Sequence, residues 1–174
     1  MGGELYERLS ELLEYPGPRV GERVAACIAR LEARAPAARA LREFERLLEG
    51  VPVGQLQESY TAAFDLDPSC SPHVGYRLLG PDSRRGTFLA RLAARYRARG
   101  FSAGRELPDH LTVLLRFLAH APDEPDRGEL VGECLVPALS SLARELRRRE
   151  HPYAPLAEAI QLVLEVDARG ERAR

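Results

Sequence analysis

The chain contains no lysine, no tryptophan and no asparagine, and its three cysteines are widely spaced with no CxxC pair. Without lysine there is no P-loop lysine, so an ATP or GTP site of that type is excluded. Three distant cysteines favour a reducing compartment over a disulfide framework, and we expect a cytoplasmic protein. No segment approaches the ~20 apolar residues of a membrane span. The N-terminus also lacks the basic and apolar regions of a signal peptide, so we expect no direct membrane insertion.

The charge is nearly balanced. All 25 basic residues are arginine, the formal net charge is -1, and the pI is about 6.4. A nucleic-acid-binding protein usually has a basic excess, and no helix-turn-helix pair is recognisable. We therefore expect no nucleic-acid partner, and a helical DNA-binding regulator is disfavoured.

Length and periodicity predict a single all-α domain over residues 1–174. A chain of this size buries roughly 70% of the surface that its unfolded form exposes, so it can form a core without metals or disulfides. Apolar residues recur at helical spacing in almost every segment, whereas strand-like alternation is absent. The pattern predicts a bundle of about seven to eight helices. Pro137 should kink a long helix from residue 129 to about 149, and the tail from about Asp167 should be frayed.

No residue pattern identifies an enzyme. There is no GxSxG nucleophile elbow and no GxGxxG loop. His110 beside Asp109 is a conceivable acid-base pair, although a helix-start histidine that makes a local hydrogen bond is the simpler interpretation. Cys70 and His73 have the spacing of half a zinc site, but no second ligand pair is in sight. We therefore expect no catalytic residue, no metal and no cofactor.

The middle of the chain has the features of a protein-binding surface. Six arginines lie between residues 84 and 99, which indicates either a solvated helix face or guanidinium forks for a partner's acidic groups. Five of the eleven aromatic residues also lie between residues 60 and 96. Tyrosine is typical both of cores and of peptide-binding grooves, and a groove between helices suits an apolar or amphipathic peptide.

The same region resembles the nitrate reductase assembly chaperones, the NarJ branch of the redox-enzyme maturation chaperones that also include the TorD and DmsD branches. The resemblance covers roughly residues 5–120. The matching strings are LLEYP at 12–16, YTAAFD at 60–65, GPDSRRG at 80–86, Leu92 with Tyr96, GF at 100–101 and ELPDHL at 106–111.

The resemblance implies a helical cytoplasmic chaperone that catalyses nothing. Such proteins bind the apo catalytic subunit of a molybdenum enzyme, often by its N-terminal peptide, and keep it competent for cofactor insertion. Whether this chain acts as a monomer or homodimer stays open. The residues we expect to bind the partner are Tyr60, Phe64, Tyr76, Asp82, Arg84, Arg85, Gly86, Leu89, Leu92, Tyr96, Glu106, Leu107, Pro108, Asp109 and His110.

The chain departs from the family pattern at two places. Pro81 occupies the family's aspartate position, with Asp82 one residue later. Arg116 occupies the position of a family glutamate, a charge reversal that would alter the choice of partner. An alternative client is therefore the twin-arginine signal peptide of a DMSO-reductase-type enzyme, whose arginines would meet Glu106 and Asp109.

Overall fold

Helices dominate the computed structural model, which describes residues 2–172. Ten α-helical segments occur in that range. The nine residues directly before α9 are the short α8 and a π-helical turn that runs on into α9. The segments are α1 Gly2–Leu12, α2 Val20–Ile28, α3 Pro36–Leu48, α4 Val53–Tyr60, α5 Val74–Leu79, α6 Arg84–Ala98, α7 Leu111–His120, α8 Arg127–Glu129, α9 Val136–Arg148 and α10 Ala154–Arg172.

The all-α prediction is confirmed, and the only β structure among the described residues is an isolated bridge between His73 and His110. Because α8 and α9 are continuous through residues 130–135, the described chain has nine helices, against the seven or eight predicted. The difference lies in short helices, such as α5, that a periodic pattern defines poorly.

The core is one contiguous cluster of buried apolar side chains. Its centre is α7, in which every residue from 111 to 118 except Arg116 is buried. Helix α1 packs on α7, while α10 packs on α3 and α9. Leucine and aromatic side chains dominate this interior, so burial of apolar surface is the main stabilising term.

Two π-helical turns interrupt the regular pattern. Thr61–Asp65 extends α4, and Leu130–Leu135 joins α8 to α9. The second turn ends just before Pro137, which has no N–H to donate and whose ring crowds the carbonyl four residues earlier. A π-helical turn therefore precedes Pro137, whereas the kink expected there stays a prediction.

Helix α7 starts at Leu111 with His110 as its N-cap, so Pro108 and Asp109 lie before the helix. The cause is a pair of hydrogen bonds to a segment that is distant in the chain. The carbonyl of Asp109 accepts a hydrogen bond from Val74 (2.8 Å), and the amide of Leu111 donates to Pro72 (3.0 Å), which holds this segment extended.

The last helix continues past the expected start of the frayed tail, as far as Arg172. Within it, the carboxylate of Asp167 accepts hydrogen bonds from the Tyr6 hydroxyl (2.7 Å) and from Arg127 (2.6 Å). These contacts tie α10 to α1 and α8. Residues 173 and 174 of the expected tail lie outside the described part of the chain.

Candidate functional site

A cleft of about 470 Å³ opens beside the start of α7, and we call it the Tyr60 cleft. It is formed where the end of α1, the π-helical turn after α4 and the loop before α7 meet. Its lining residues are Leu13, Glu14, Tyr15, Tyr60, Phe64, Asp65, Pro72, His73, Ala103, Gly104, Arg105, Glu106, His110, Thr112 and Arg116.

One wall of the Tyr60 cleft is aromatic. The ring of Tyr60 lies edge-on to Tyr15, with ring centroids 5.6 Å apart, and tilted against Phe64 at 4.8 Å. The Tyr60 hydroxyl donates to the carbonyl of Leu13 (2.9 Å), which fixes the ring to the end of α1. Burial raises the pKa of Tyr60, so this hydroxyl stays a hydrogen-bond donor at neutral pH.

Tyr15 is the exposed part of this wall, with 55% of its surface accessible. It also lines a second, shallower cavity of about 430 Å³, on α4 and its π-helical extension. Leu66, which is 73% exposed, also lines that neighbouring cavity. Tyr15 and Leu66 therefore present apolar surface at the two cavities, which is the kind of surface that marks a protein-binding site.

The π-helical turn Thr61–Asp65 shapes the same region. It carries Phe64 and Asp65 into the Tyr60 cleft, and turns of this type occur frequently at functional sites. Sequence analysis found the YTAAFD string but not its π-helical form, because residue types do not distinguish a five-residue from a four-residue hydrogen-bond pattern.

Two histidines form the corner of the cleft. The rings of His73 and His110 lie edge to face with centroids 5.1 Å apart. The His110 Nδ1 accepts a hydrogen bond from the Thr112 amide (3.2 Å) and lies 2.7 Å from the Thr112 hydroxyl. Burial, and then the neighbouring His73, lower the pKa of His110 to about 4. Because Nδ1 accepts, the neutral ring carries its proton on Nε2.

Asp109 supports the cleft from inside the protein. Its carboxylate is fully buried and accepts a pair of hydrogen bonds from Arg85, with Nε to Oδ2 at 3.0 Å and Nη2 to Oδ1 at 3.2 Å. The Gly75 amide donates to the same Oδ2 (3.2 Å). The Arg85 guanidinium also lies 5.9 Å from the centre of the Tyr76 ring. This network joins the starts of α5, α6 and α7.

The structure therefore divides the residues expected to bind a partner. Those on the Tyr60 cleft are Tyr60, Phe64, Glu106 and His110. Those that form or support the buried network are Tyr76, Arg85 and Asp109. Those on the exposed or half-buried part of α6 and its cap are Asp82, Arg84, Gly86 and Leu89, and those packed below are Leu92 and Tyr96.

The residues of the ELPDHL segment, 106–111, also differ in their exposure. Glu106 and Leu107 are exposed, whereas Asp109 faces inwards. The carbonyl of Pro108 accepts a hydrogen bond from the Tyr96 hydroxyl at 2.6 Å. Glu106, Leu107 and the cleft-lining side of His110 are therefore accessible to a partner, whereas Asp109 has no free oxygen directed outwards to meet a client's arginines.

Part of the arginine-rich face of α6 is used within the chain. Arg95 pairs with Asp126 (2.9 Å), and Arg99, just after the helix, pairs with Glu124 (2.9 Å). Arg84 pairs with Asp82 (3.1 Å), and the Asp82 carboxylate also accepts a hydrogen bond from the Arg84 amide (2.7 Å) at the start of α6. These arginines hold the loop before α8 and the start of α6.

Sequence analysis missed Tyr15, Asp65, Arg105 and Arg116 as members of the cleft. Asp65 and Tyr15 lie in strings that carried the family resemblance, which was an available signal. Arg116 was noted only as a charge reversal relative to the family pattern, and Arg105 carried no signal, because their common location depends on how the loop before α7 folds back.

The geometry does not form the conceivable acid-base pair. The Asp109 carboxylate binds Arg85 and Gly75, whereas the His110 imidazole binds Thr112. Cys70 is fully buried, and His73 interacts with Ser71 at 3.2 Å. Within residues 2–172, no three His, Cys, Asp or Glu side chains come together as ligands for a metal ion.

None of the helices described for residues 2–172 has both the length and the apolar character needed to span a bilayer.

Comparison with known proteins places the chain in a family. Residues 31–156 match the family model described as nitrate reductase delta subunit. Over 157 residues, the chain is 31% identical to the nitrate reductase molybdenum cofactor assembly chaperone NarJ of Escherichia coli K12. That alignment covers 87% of this chain and 66% of NarJ, so the chain spans just under two thirds of the relative's length.

The fold has a relative among solved structures. A crystal structure of a protein described as a redox enzyme maturation protein, from Archaeoglobus fulgidus, superposes with a TM-score of 0.62 at 25% identity. The match covers 95% of this chain and 94% of the other. The family match spans most of the chain and includes Tyr60, Phe64 and His110 of the Tyr60 cleft, and the chain belongs to the nitrate reductase delta subunit family.

Proposed function

We propose that this protein is an assembly chaperone that binds the apo catalytic subunit of a nitrate reductase or a related molybdenum enzyme. It would keep that subunit competent for molybdenum cofactor insertion and for assembly of the complex. The protein itself would hold no cofactor and carry out no reaction. The family membership and the name of the NarJ relative support this proposal.

The observation that carries the proposal is the Tyr60 cleft with its exposed apolar rim. Its volume of about 470 Å³ suits a few side chains of a peptide, not a whole folded domain. Tyr15 at its mouth and Leu66 beyond it offer apolar contacts that a partner can cover. We therefore propose that the cleft receives the N-terminal segment of the catalytic subunit, in the manner of a peptide bound in a groove between helices.

A chaperone of this kind has to release its client. Burial of a few aromatic and leucine contacts gives moderate affinity, on the order of 1 µM, which corresponds to about -8 kcal/mol. Release could then follow from a change in the client itself, because a segment that packs into the mature enzyme is no longer available to the cleft.

Co-purification tests the proposal. The tagged chaperone is produced together with the catalytic subunit of the nitrate reductase of the same organism, in cells that make molybdenum cofactor and in cells that do not. We expect a complex with the cofactor-free subunit, and calorimetric binding of a synthetic peptide of its N-terminal segment. A scrambled peptide of the same composition is the control. Absence of a complex with either form of the subunit would contradict the proposal.

A second candidate is a chaperone for a twin-arginine signal peptide. The observation that favours it is a set of three exposed carboxylates on the Tyr60 cleft, Glu14, Asp65 and Glu106, none of which pairs with an arginine within the described chain. Replacing both arginines of such a peptide by glutamine would then weaken binding. Unchanged binding of the glutamine peptide favours the first candidate.

A further inference from the structure

Arg116 is an unusual residue for its position. It is the only fully charged side chain in α7, whose sequence is LTVLLRFLAH. Both of its neighbours in the chain, Leu115 and Phe117, are 0% exposed, and Arg116 itself is half-buried. Arginine is almost never buried without a partner, because removing its charge from water is costly unless an anion compensates it.

No such partner exists among the residues that the structure describes. The Nε atom of Arg116 is buried and has no hydrogen-bond acceptor. No carboxylate of residues 2–172 forms an ion pair with its guanidinium, although arginines elsewhere in the chain form many. The side chain lines the Tyr60 cleft, so an acceptor bound in the cleft can reach its guanidinium.

We propose that Arg116 is a carboxylate-binding subsite of the Tyr60 cleft, which pairs with an acidic side chain of the bound client segment. This inference rests on the proposed chaperone function and adds a rule for the choice of client. The client segment has to place an aspartate or glutamate next to the apolar residues that cover the aromatic wall. The guanidinium fork, with its donors in one plane, matches a carboxylate in two hydrogen bonds.

The charges around Arg116 favour a peptide carboxylate as its ligand over a free polyanion such as phosphate. Glu14, Asp65 and Glu106 outnumber Arg105 and Arg116 on the same cleft, so the cleft would repel a phosphate that carries two negative charges. A peptide can carry charges of both signs. Its acidic residue would meet Arg116, and basic residues on either side of it would meet the three carboxylates.

The sign of the charge at Arg116 therefore selects the client. A segment with a basic residue at the corresponding position would bring two cations together in a partly desolvated cleft, which disfavours binding. A chaperone of this family with an acidic side chain at the same position would prefer the opposite client charge. Arg116 acts in this scheme as a specificity-determining residue and not as part of the core.

The test uses charge exchange between the two partners. Arg116→Glu and Arg116→Met are made in the full chain, with Arg97→Glu on the exposed part of α6 as a matched control. Binding to the cofactor-free catalytic subunit of the nitrate reductase of the same organism is measured by calorimetry. We expect Arg116→Glu to weaken binding at least about tenfold and Arg116→Met to weaken it less, whereas Arg97→Glu has little effect.

The second half of the experiment uses variants of the client. Each acidic residue of its N-terminal segment is changed in turn to arginine. One of these changes should weaken binding to the unaltered chaperone and restore binding to Arg116→Glu. Because the client variants are measured with the unaltered chaperone, the test remains decisive even if Arg116→Glu is poorly folded, which thermal unfolding of each variant shows.

The outcomes separate the inference from the proposed function. If the unaltered chaperone binds the subunit but no client charge reversal matters, or Arg116→Glu binds as Arg97→Glu does, the carboxylate subsite is wrong and the chaperone function stands. If inorganic phosphate or acetate binds in an Arg116-dependent manner without affecting the client, the subsite is a small-anion site and the inference fails. If the unaltered chaperone does not bind the subunit, both fail.

Discussion

Arg85 and Asp109 form a two-bond ion pair inside the protein, with nitrogen to oxygen distances of 3.0 and 3.2 Å. Asp109 is 0% exposed and the Arg85 side chain 24% exposed. The pair joins the first turn of α6 to the segment that enters α7, and it sits directly behind the histidine corner of the Tyr60 cleft. It therefore positions one side of the cleft without being accessible to a partner.

Replacing Arg85 should destabilise the fold, whereas replacing its chain neighbour Arg84 should not. Arg85→Met leaves the Asp109 carboxylate buried without a counter-charge, which costs about 3–5 kcal/mol. Arg84→Met removes only a pair whose arginine side chain is 72% exposed, and should change stability by less than about 1 kcal/mol. Urea unfolding of the two variants at neutral pH measures the difference. Equal stabilities would show that the buried pair is not needed for folding.

Gly75 should tolerate no side chain. A Cβ at this position would lie 2.8 Å from Oδ2 of Asp109 and 2.9 Å from Cδ1 of Phe88. Gly75→Ala must therefore push the ion pair or α6 aside, and we expect a loss of about 1–3 kcal/mol.

Gly86→Ala is the matched control for Gly75→Ala. A Cβ at Gly86 meets no atom within 4 Å, and the residue lies inside α6. Because alanine favours helix more than glycine does, stability should be unchanged or rise by up to about 1 kcal/mol. If both alanine variants behave alike in thermal unfolding, the close approach at Gly75 is not limiting.

His110 should make the fold less stable in acid. Its pKa is lowered from 6.5 to about 4, so the unfolded chain binds more protons between these two pH values. Above pH 6.5 His110 is neutral in both states and does not reduce the free energy of unfolding. As the pH falls towards 4, the free energy of unfolding decreases because the unfolded chain takes up the proton first. At pH 4.5 the loss is on the order of 2–3 kcal/mol.

His110→Asn isolates that effect. Asparagine can still cap the amide of Thr112 but does not titrate. We expect the difference in unfolding free energy between pH 7 and pH 4.5 to be smaller in this variant than in the unaltered chain by about that amount. The other titrating groups are common to both proteins. An identical pH dependence would mean that the capping histidine titrates normally.

Tyr15 should contribute to client binding more than to stability. More than half of its surface is exposed, and its ring meets only the edge of Tyr60 within the cleft. Tyr15→Ala should weaken binding of the client's N-terminal peptide by about tenfold, because aromatic residues are frequent anchors of interfaces. The control is Val166→Ala on α10, where the valine is 64% exposed and lies outside the cleft. Equal affinities of the two variants would remove Tyr15 from the interface.

Much of the cleft could be predicted from short strings of residues. Tyr60 and Phe64 were identified by the spacing of aromatic residues and by the family resemblance, and both line the cleft. Arg105 could not be found in this way because it comes from a loop. Arg116, in the middle of a buried helix, stood out only as a charge reversal relative to the family and not as part of a cleft. Nothing in their local sequence indicates that they face the same space.

The all-helical architecture follows from local sequence, because a helix buries residues that repeat every three or four positions and these repeats are visible in the chain. The inward orientation of the Asp109 side chain does not follow from local sequence. Its partners Arg85 and Gly75 are 24 and 34 residues away, and only the packing of α5, α6 and α7 brings them to one carboxylate. The same packing leaves Arg116 without an acid, since a charge is compensated by neighbours in space and not by neighbours in the chain.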